Sequence, residues 1–144
     1  QEKEILGSIR YQKNETILHT DSQLLPRTKR AWASWNYFIP RQNHKNPTVT
    51  YNMNILQGLK SPVPFCVSLN RQNEIDESTI LKHITYHHPV YDLRALSAQS
   101  KRHEINGTNH TYFCGAYWGY GFHEDGARSG IEVANAIQKE PPRG

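Results

Sequence analysis

At 144 residues, with a formal charge of +4 and a mean hydropathy of -0.77, the chain is long enough for one modest core and, though low in hydropathy for an independent domain, not polar enough to imply disorder. No apolar run approaches the roughly 20 residues of a membrane span, and the opening residues do not read as a signal peptide, so a cytoplasmic location is expected. The basic excess is scattered, with Arg27, Lys29 and Arg30 as its one short cluster, and nucleic acid is not the expected partner.

In chain order, Ile5–Tyr11 and Thr16–Thr20 flank the polar run 12–15, a pattern that predicts a hairpin. Asp21 is placed to cap a short helical turn before Leu24-Leu25-Pro26. Residues 31–39 alternate as a strand, with Trp35, Tyr37 and Ile39 on one face and Trp32, Asn36 and Phe38 on the other. A polar loop over 41–46 ends at Pro47. Residues 48–56 form the cleanest alternation, with Val49, Tyr51, Met53 and Ile55 opposite Thr48, Thr50, Asn52 and Asn54. Gly58 and the Pro62/Pro64 pair break it, and a short strand over 65–69 should pair antiparallel with its predecessor. A turn is read at 70–74, and 78–86 fits either a strand or a short helix.

Pro89 suits the first position of a helix running to about Arg102, with Val90, Leu93, Ala95 and Leu96 on its apolar side. Gln99 is either a solvated helix residue or a polar group at a ligand. Asn106-Gly107 is a two-residue turn signal leading to a final strand, Tyr112-Phe113-Cys114, whose apolar character predicts burial. Cys66 and Cys114 both lie in apolar runs and read as buried free thiols rather than a disulfide or a nucleophile. The eight histidines show neither C-x-x-C nor H-E-x-x-H spacing, so no metal site is predicted. The sequons at Asn14, Asn106 and Asn109 lack a secretory context and read as chance matches.

The stretch that organises the chain is TYFCGAYWGYGFHEDGARSGIEVANA, residues 111–136. A glycine-punctuated loop from Gly115 to Gly121 leads through His123, Glu124, Asp125 and Gly126 into an amphipathic helix marked by Ile131, Ala134 and Ile137. Such a unit brings the open N–H groups and positive dipole end of a helix to an electron-rich ligand. The plain alternative is an ordinary strand–loop–helix in which Asp125 is only a cap. An acid/base pair of Glu124 with Asp125 is disfavoured, because neighbouring side chains at a helix start diverge.

The segment CGAYWGYGFHEDGARSGIEVANAI resembles the closing segment of the flavin-containing amine oxidase superfamily. It is most similar to a subgroup of predicted NAD/FAD-binding oxidoreductases with the signature GAYxGYGFHEDGxxSGxxVA, and the order LHTD, LLP, AWASWNY and HPV extends the likeness over nearly the whole chain. The resemblance implies an α+β fold. Residues 1–110 would be mostly antiparallel substrate-domain strands with one helix near 90–102. Residues 111–138 would be the C-terminal strand–loop–helix of an FAD-binding, glutathione-reductase/amine-oxidase-like domain, and 139–144 a tail. The start at Gln1 and the absence of a strand–G-x-G-x-x-G–helix then imply a fragment lacking its N-terminal dinucleotide-binding part.

FAD is the implied cofactor, contacted by Gly115, Tyr117, Gly121, His123, Glu124, Asp125, Gly126 and Ser129, with backbone donors at the flavin N1/O2 edge favouring the charge that reduction places there. Trp32, Trp35 and Trp118 become candidates for the substrate cavity, although Trp32 and Trp35 read first as core. Many amine oxidases carry an acid two residues after the strand-end glycine. Here Tyr117 stands in that region, which leaves Glu124 or Asp125 to take over the ribityl contact. No obligatory catalytic residue is named. Neighbours of this subgroup, cyclopropane fatty-acid synthases, point to a small-molecule or lipid-like substrate.

Two other readings compete: a non-enzymatic ligand- or partner-binding module that uses the HEDG helix start, and a small basic nucleic-acid binder. The fragment reading further predicts exposed apolar surface or homo-oligomerisation.

Overall fold

The computed structural model describes residues 1–40 and 47–139, so the loop read at 41–46 and all of the tail beyond residue 139 lie outside the described residues. Its elements are α1 (Glu2–Gly7), β1 (Tyr11–His19), β2 (Trp35–Phe38), β3 (Thr48–Asn52), α2 (Met53–Gln57), β4 (Cys66–Leu69), β5 (Ile80–Pro89), α3 (Leu93–Ser100) and α4 (His123–Gln138), joined by short 3-10 turns. The class is α+β with one five-stranded antiparallel sheet in the order β2-β3-β4-β1-β5. The chain divides into two compact units, Lys13–His87 and Gln1–Gln12 with His88–Gly144.

The first unit holds nearly all of the sheet. The polar run at 12–15 is strand interior, not the expected turn. Its charges find cross-strand partners on β5, where Glu15 meets His83 Nε2 at 2.8 Å and accepts from the Thr85 hydroxyl at 3.1 Å, with Lys13 alongside. The uncertain stretch 78–86 is resolved largely as β5. The expected pairing of β3 with β4 is present, with Thr50 opposite Ser68 and Asn52 opposite Cys66.

Two strands are shorter than their alternation suggested. β3 stops at Asn52 because its side chain accepts the Ile55 N–H and caps α2, which Gly58 ends in the left-handed region at φ 64°. β2 starts only at Trp35 because Asn36 turns back on Ala33, accepting its N–H and donating to its carbonyl at 2.7 Å. Register assigns one face to Ile17, Ser68, Thr50 and Asn36, with His19, Cys66 and Asn52 in the next row. These are all buried, and most are polar. The opposite face carries Leu18, Val67, Tyr51 and Trp35 in one row, half-buried or exposed.

In the second unit, residues 2–7 form a helix where the sequence suggested a strand. Glu2 and Glu4 suit the first turn of a helix, and Ile5 and Ile9 fall four residues apart on one side. They pack with Ala95, Ala98 and Ile105, and Leu6, Phe113, Tyr117 and Trp118 complete that core. Pro89 ends β5 and does not open a helix. α3 begins at Leu93 because Asp92 caps it through the Ala95 N–H at 2.9 Å while pairing with Arg10. Of the apolar side read from Val90, Leu93, Ala95 and Leu96, Ala95 is buried, together with Ala98, whereas Leu93 is 84% exposed, Leu96 is exposed and Val90 precedes the helix.

A turn does follow Asn106, with Gly107 at φ 88°, but no strand follows it. Asn106 occupies the Phe113 backbone, accepting its N–H at 2.9 Å, and takes the place of a ladder partner. Cys114 is therefore exposed, contrary to the expected burial, while Cys66 is buried; both thiols are free.

Candidate functional site

The site starts from the loop between Gly115 and α4. Gly115 has φ 154° and Gly121 φ 87°; a Cβ at Gly115 would strike the Tyr117 ring, and one at Gly121 the Tyr91 hydroxyl. The loop backbone is held from both sides. Gln99 on α3 donates its amide to the carbonyls of Tyr117 at 2.9 Å and Gly119 at 2.7 Å. Asp125 on α4 accepts the N–H groups of Tyr120 at 2.9 Å and Phe122 at 3.1 Å, and its other oxygen meets Arg128 at 2.6 Å. Donation from Phe122, then from Tyr120, together with Arg128, outweighs burial and holds the Asp125 carboxyl below its ordinary range. A carboxylate held ionised at neutral pH, with both oxygens engaged, is a cap and clamp, not a proton carrier.

The helix end itself is open. Phe122 occupies the N-cap position and its ring cannot accept a hydrogen bond, so the N-cap side chain takes up none of the first-turn N–H groups, while Asp125 caps in the reverse sense by accepting the Phe122 N–H. The N–H groups of His123, Glu124 and Asp125 thus lack a capping acceptor at the positive end of a 16-residue helix. Tyr120, Gly121, Phe122, His123 and Glu124 are exposed beside them. This arrangement can receive an electron-rich, planar or aromatic ligand through backbone donors.

The eight residues read as cofactor contacts therefore divide. Gly121, His123 and Glu124 lie on the exposed rim. Tyr117 is half-buried against the core and stacks on Trp118 at 5.0 Å. Ser129 is buried, its hydroxyl accepting the Gly115 N–H at 3.0 Å. Gly126 faces Ala116, where a Cβ would sit in ordinary van der Waals contact at 3.7 Å, so the helix–loop packing does not require glycine there.

The three tryptophans divide as well. Trp32 donates to the Pro26 carbonyl at 2.8 Å and Trp118 to the Phe113 carbonyl at 3.1 Å, and both are anchored within their units. Trp35 alone lies open on the apolar sheet face, edge-on to Tyr51 at 5.6 Å. Sequence reasoning missed Tyr91, Arg102 (its guanidinium 5.7 Å from the Trp118 ring) and Arg128. Arg128 carried a usable signal, an i,i+3 spacing from Asp125 on a predicted helix. Tyr91 carried none.

In the other unit, burial pushes the Cys66 thiol up to about 11, which removes it as a nucleophile. Among the described residues, no group of three metal-ligating side chains converges. No helix there is long and apolar enough to cross a membrane. No family model matches the chain, and no curated protein matches it.

Proposed function

We propose that the chain is the C-terminal portion of an FAD-dependent oxidoreductase of amine-oxidase type. In this reading residues 121–125 supply backbone contacts to the N1/O2 edge of the flavin, and the dinucleotide half of the cofactor belongs to an N-terminal part of the full protein. The observation that carries the reading is the uncapped start of α4, with its three open donors, in the segment whose motif resembles that superfamily. A flavin's pyrimidine edge is rich in acceptors, and it fits donors that no N-cap side chain occupies among the described residues.

When bound, the flavin supplies hydride acceptance. The chain's residues bind and orient it: the His123 and Glu124 N–H groups as donors, Gly121 as the point of close approach, and Gln99 with Asp125 as the frame that holds the loop in place.

The test is an FAD titration of the protein extended upstream to its natural start, beside its His123→Pro variant. Proline is tolerated at the first helical position and removes one donor there. Because Phe122 is already extended at ψ 160°, the substitution should leave helix content unchanged. Loss of one hydrogen bond predicts binding weaker by about fivefold. Absence of FAD binding by the extended wild type would overturn the proposal, leaving a non-enzymatic ligand- or partner-binding module as the standing alternative.

A further inference from the structure

We propose that His19 and Asp21 form an acid-sensitive latch that ties the end of β1 to the segments starting at Asp21 and Asp76. This inference is independent of the flavin reading. The His19 ring is fully buried, and both of its nitrogens are used. Nδ1 accepts the Asp21 N–H at 3.1 Å, so the neutral ring must carry its hydrogen on Nε2, which donates to Ser68 Oγ at 2.9 Å. Ser68 shares a further hydrogen bond with Thr50 at 2.7 Å, which links three adjacent strands through one imidazole. The Asp21 carboxylate is committed elsewhere: one oxygen accepts the Gln23 N–H at 2.8 Å and the other the Asp76 N–H at 3.1 Å.

A second proton on this ring has only Nδ1 to occupy, where it would point at the Asp21 N–H, donor against donor. The Asp21 N–H then loses its acceptor. The charge that favours a protonated ring is the Asp21 carboxylate, and turning it toward the new N–H strains its bonds to Gln23 and Asp76. Neutral and protonated His19 thus favour two different sets of hydrogen bonds, and the Asp21 tie between the turn after β1 and the turn before β5 is complete only in the neutral set.

The groups facing His19 are few. From β4 come the Cys66 thiol and Ser68, and from β3 come Thr50 and Asn52. The charged ones are Asp21 and Arg71, and Arg71 is buried and paired with Glu74 at 2.7 Å. Burial, the largest influence, lowers the His19 pKa; Asp21 opposes it and Arg71 adds to it. With the folded value below the ordinary one, the neutral latch is at full strength above about pH 6.5. It weakens as pH falls toward the lower folded value.

The test is amide hydrogen exchange at Asp21, Gln23 and Asp76 between pH 7.5 and 5, corrected for intrinsic rates, in the wild-type chain and in His19→Gln. Glutamine keeps a donor toward Ser68 and does not titrate. Protection in the wild type should fall by up to about tenfold per pH unit below 6.5, the signature of one linked proton, and should stay flat in the variant. No fall in the wild type, or an equal fall in the variant, overturns the proposal. Should the variant not fold, nitrogen-detected NMR of the wild-type His19 ring decides. An Nε2–H tautomer titrating below 6.5 in step with the exchange supports the latch, whereas an Nδ1–H tautomer or a midpoint at or above 6.5 refutes it.

Discussion

At the scale of single residues, Asp125 shows how one side chain sets the local backbone. It accepts two loop N–H groups and pairs with Arg128. Asp125→Ala should lower the melting temperature by several degrees, and Asp125→Asn by less, since the amide retains one acceptor oxygen. Its depressed pKa has a definite sign. The stability it contributes is complete above about pH 4, the unfolded value, and is lost as pH falls through the lower folded value, so acid melting curves should be flatter in Asp125→Asn.

Gly121 offers a second test of the loop. Alanine there must adopt φ 87° and press on the Tyr91 hydroxyl, a cost of about 1–3 kcal/mol. Tyr91→Phe in the same chain should recover the steric part of that loss, and chemical denaturation of the two variants measures it.

At the scale of elements, the two faces of α3 make opposite predictions. Ala95 is fully buried against α1, so Ala95→Leu should overpack the core and cost about 1–3 kcal/mol. Leu93→Ala, on the exposed side, should change stability by less than about 0.5 kcal/mol. A sequence reader ranks these two the other way round, because leucine looks like core and alanine does not. The same difficulty affected α1. Ile5, Leu6 and Ile9 fit either periodicity, and only the docking of Ile5 and Ile9 on Ala95, Ala98 and Ile105 decides for the helix.

β3 was legible as a strand, yet its end was not, since Asn52 read as one more polar alternate when it is a cap. Gly58 and the pairing of β3 with β4 were legible because each follows from local chemistry. The loop and helix of residues 115–138 were legible for the same reason. What could not be read was the pairing of Gln99 and Tyr91 with that loop, which depends on contacts distant in sequence.

At the scale of the whole molecule, both units leave apolar surface in solvent. On α4 the stripe of Ile131 and Ile137, expected to face a core, is exposed, and the helix packs instead through Asp125 and Ser129. In the sheet the largely polar face is the buried one, while on the apolar face Leu18, Val67 and Tyr51 are half-buried and Trp35 is exposed. Period-two alternation showed that the faces differ, but it carries no mark of which one is covered. The chain alone should therefore bind a hydrophobic dye or self-associate, and light scattering with dye fluorescence checks this. A monomer that binds no dye and unfolds in one cooperative step would count against the reading that these faces await partners.

The central claim is that the open start of α4 meets a flavin. Backbone hydrogen exchange at His123, Glu124 and Asp125, measured in the upstream-extended protein with and without FAD, tests it most directly. The account predicts that FAD protects these three amides while those at the exposed end of α4 near Ile137 stay unchanged. Flavin bound with no added protection at 123–125 would contradict it.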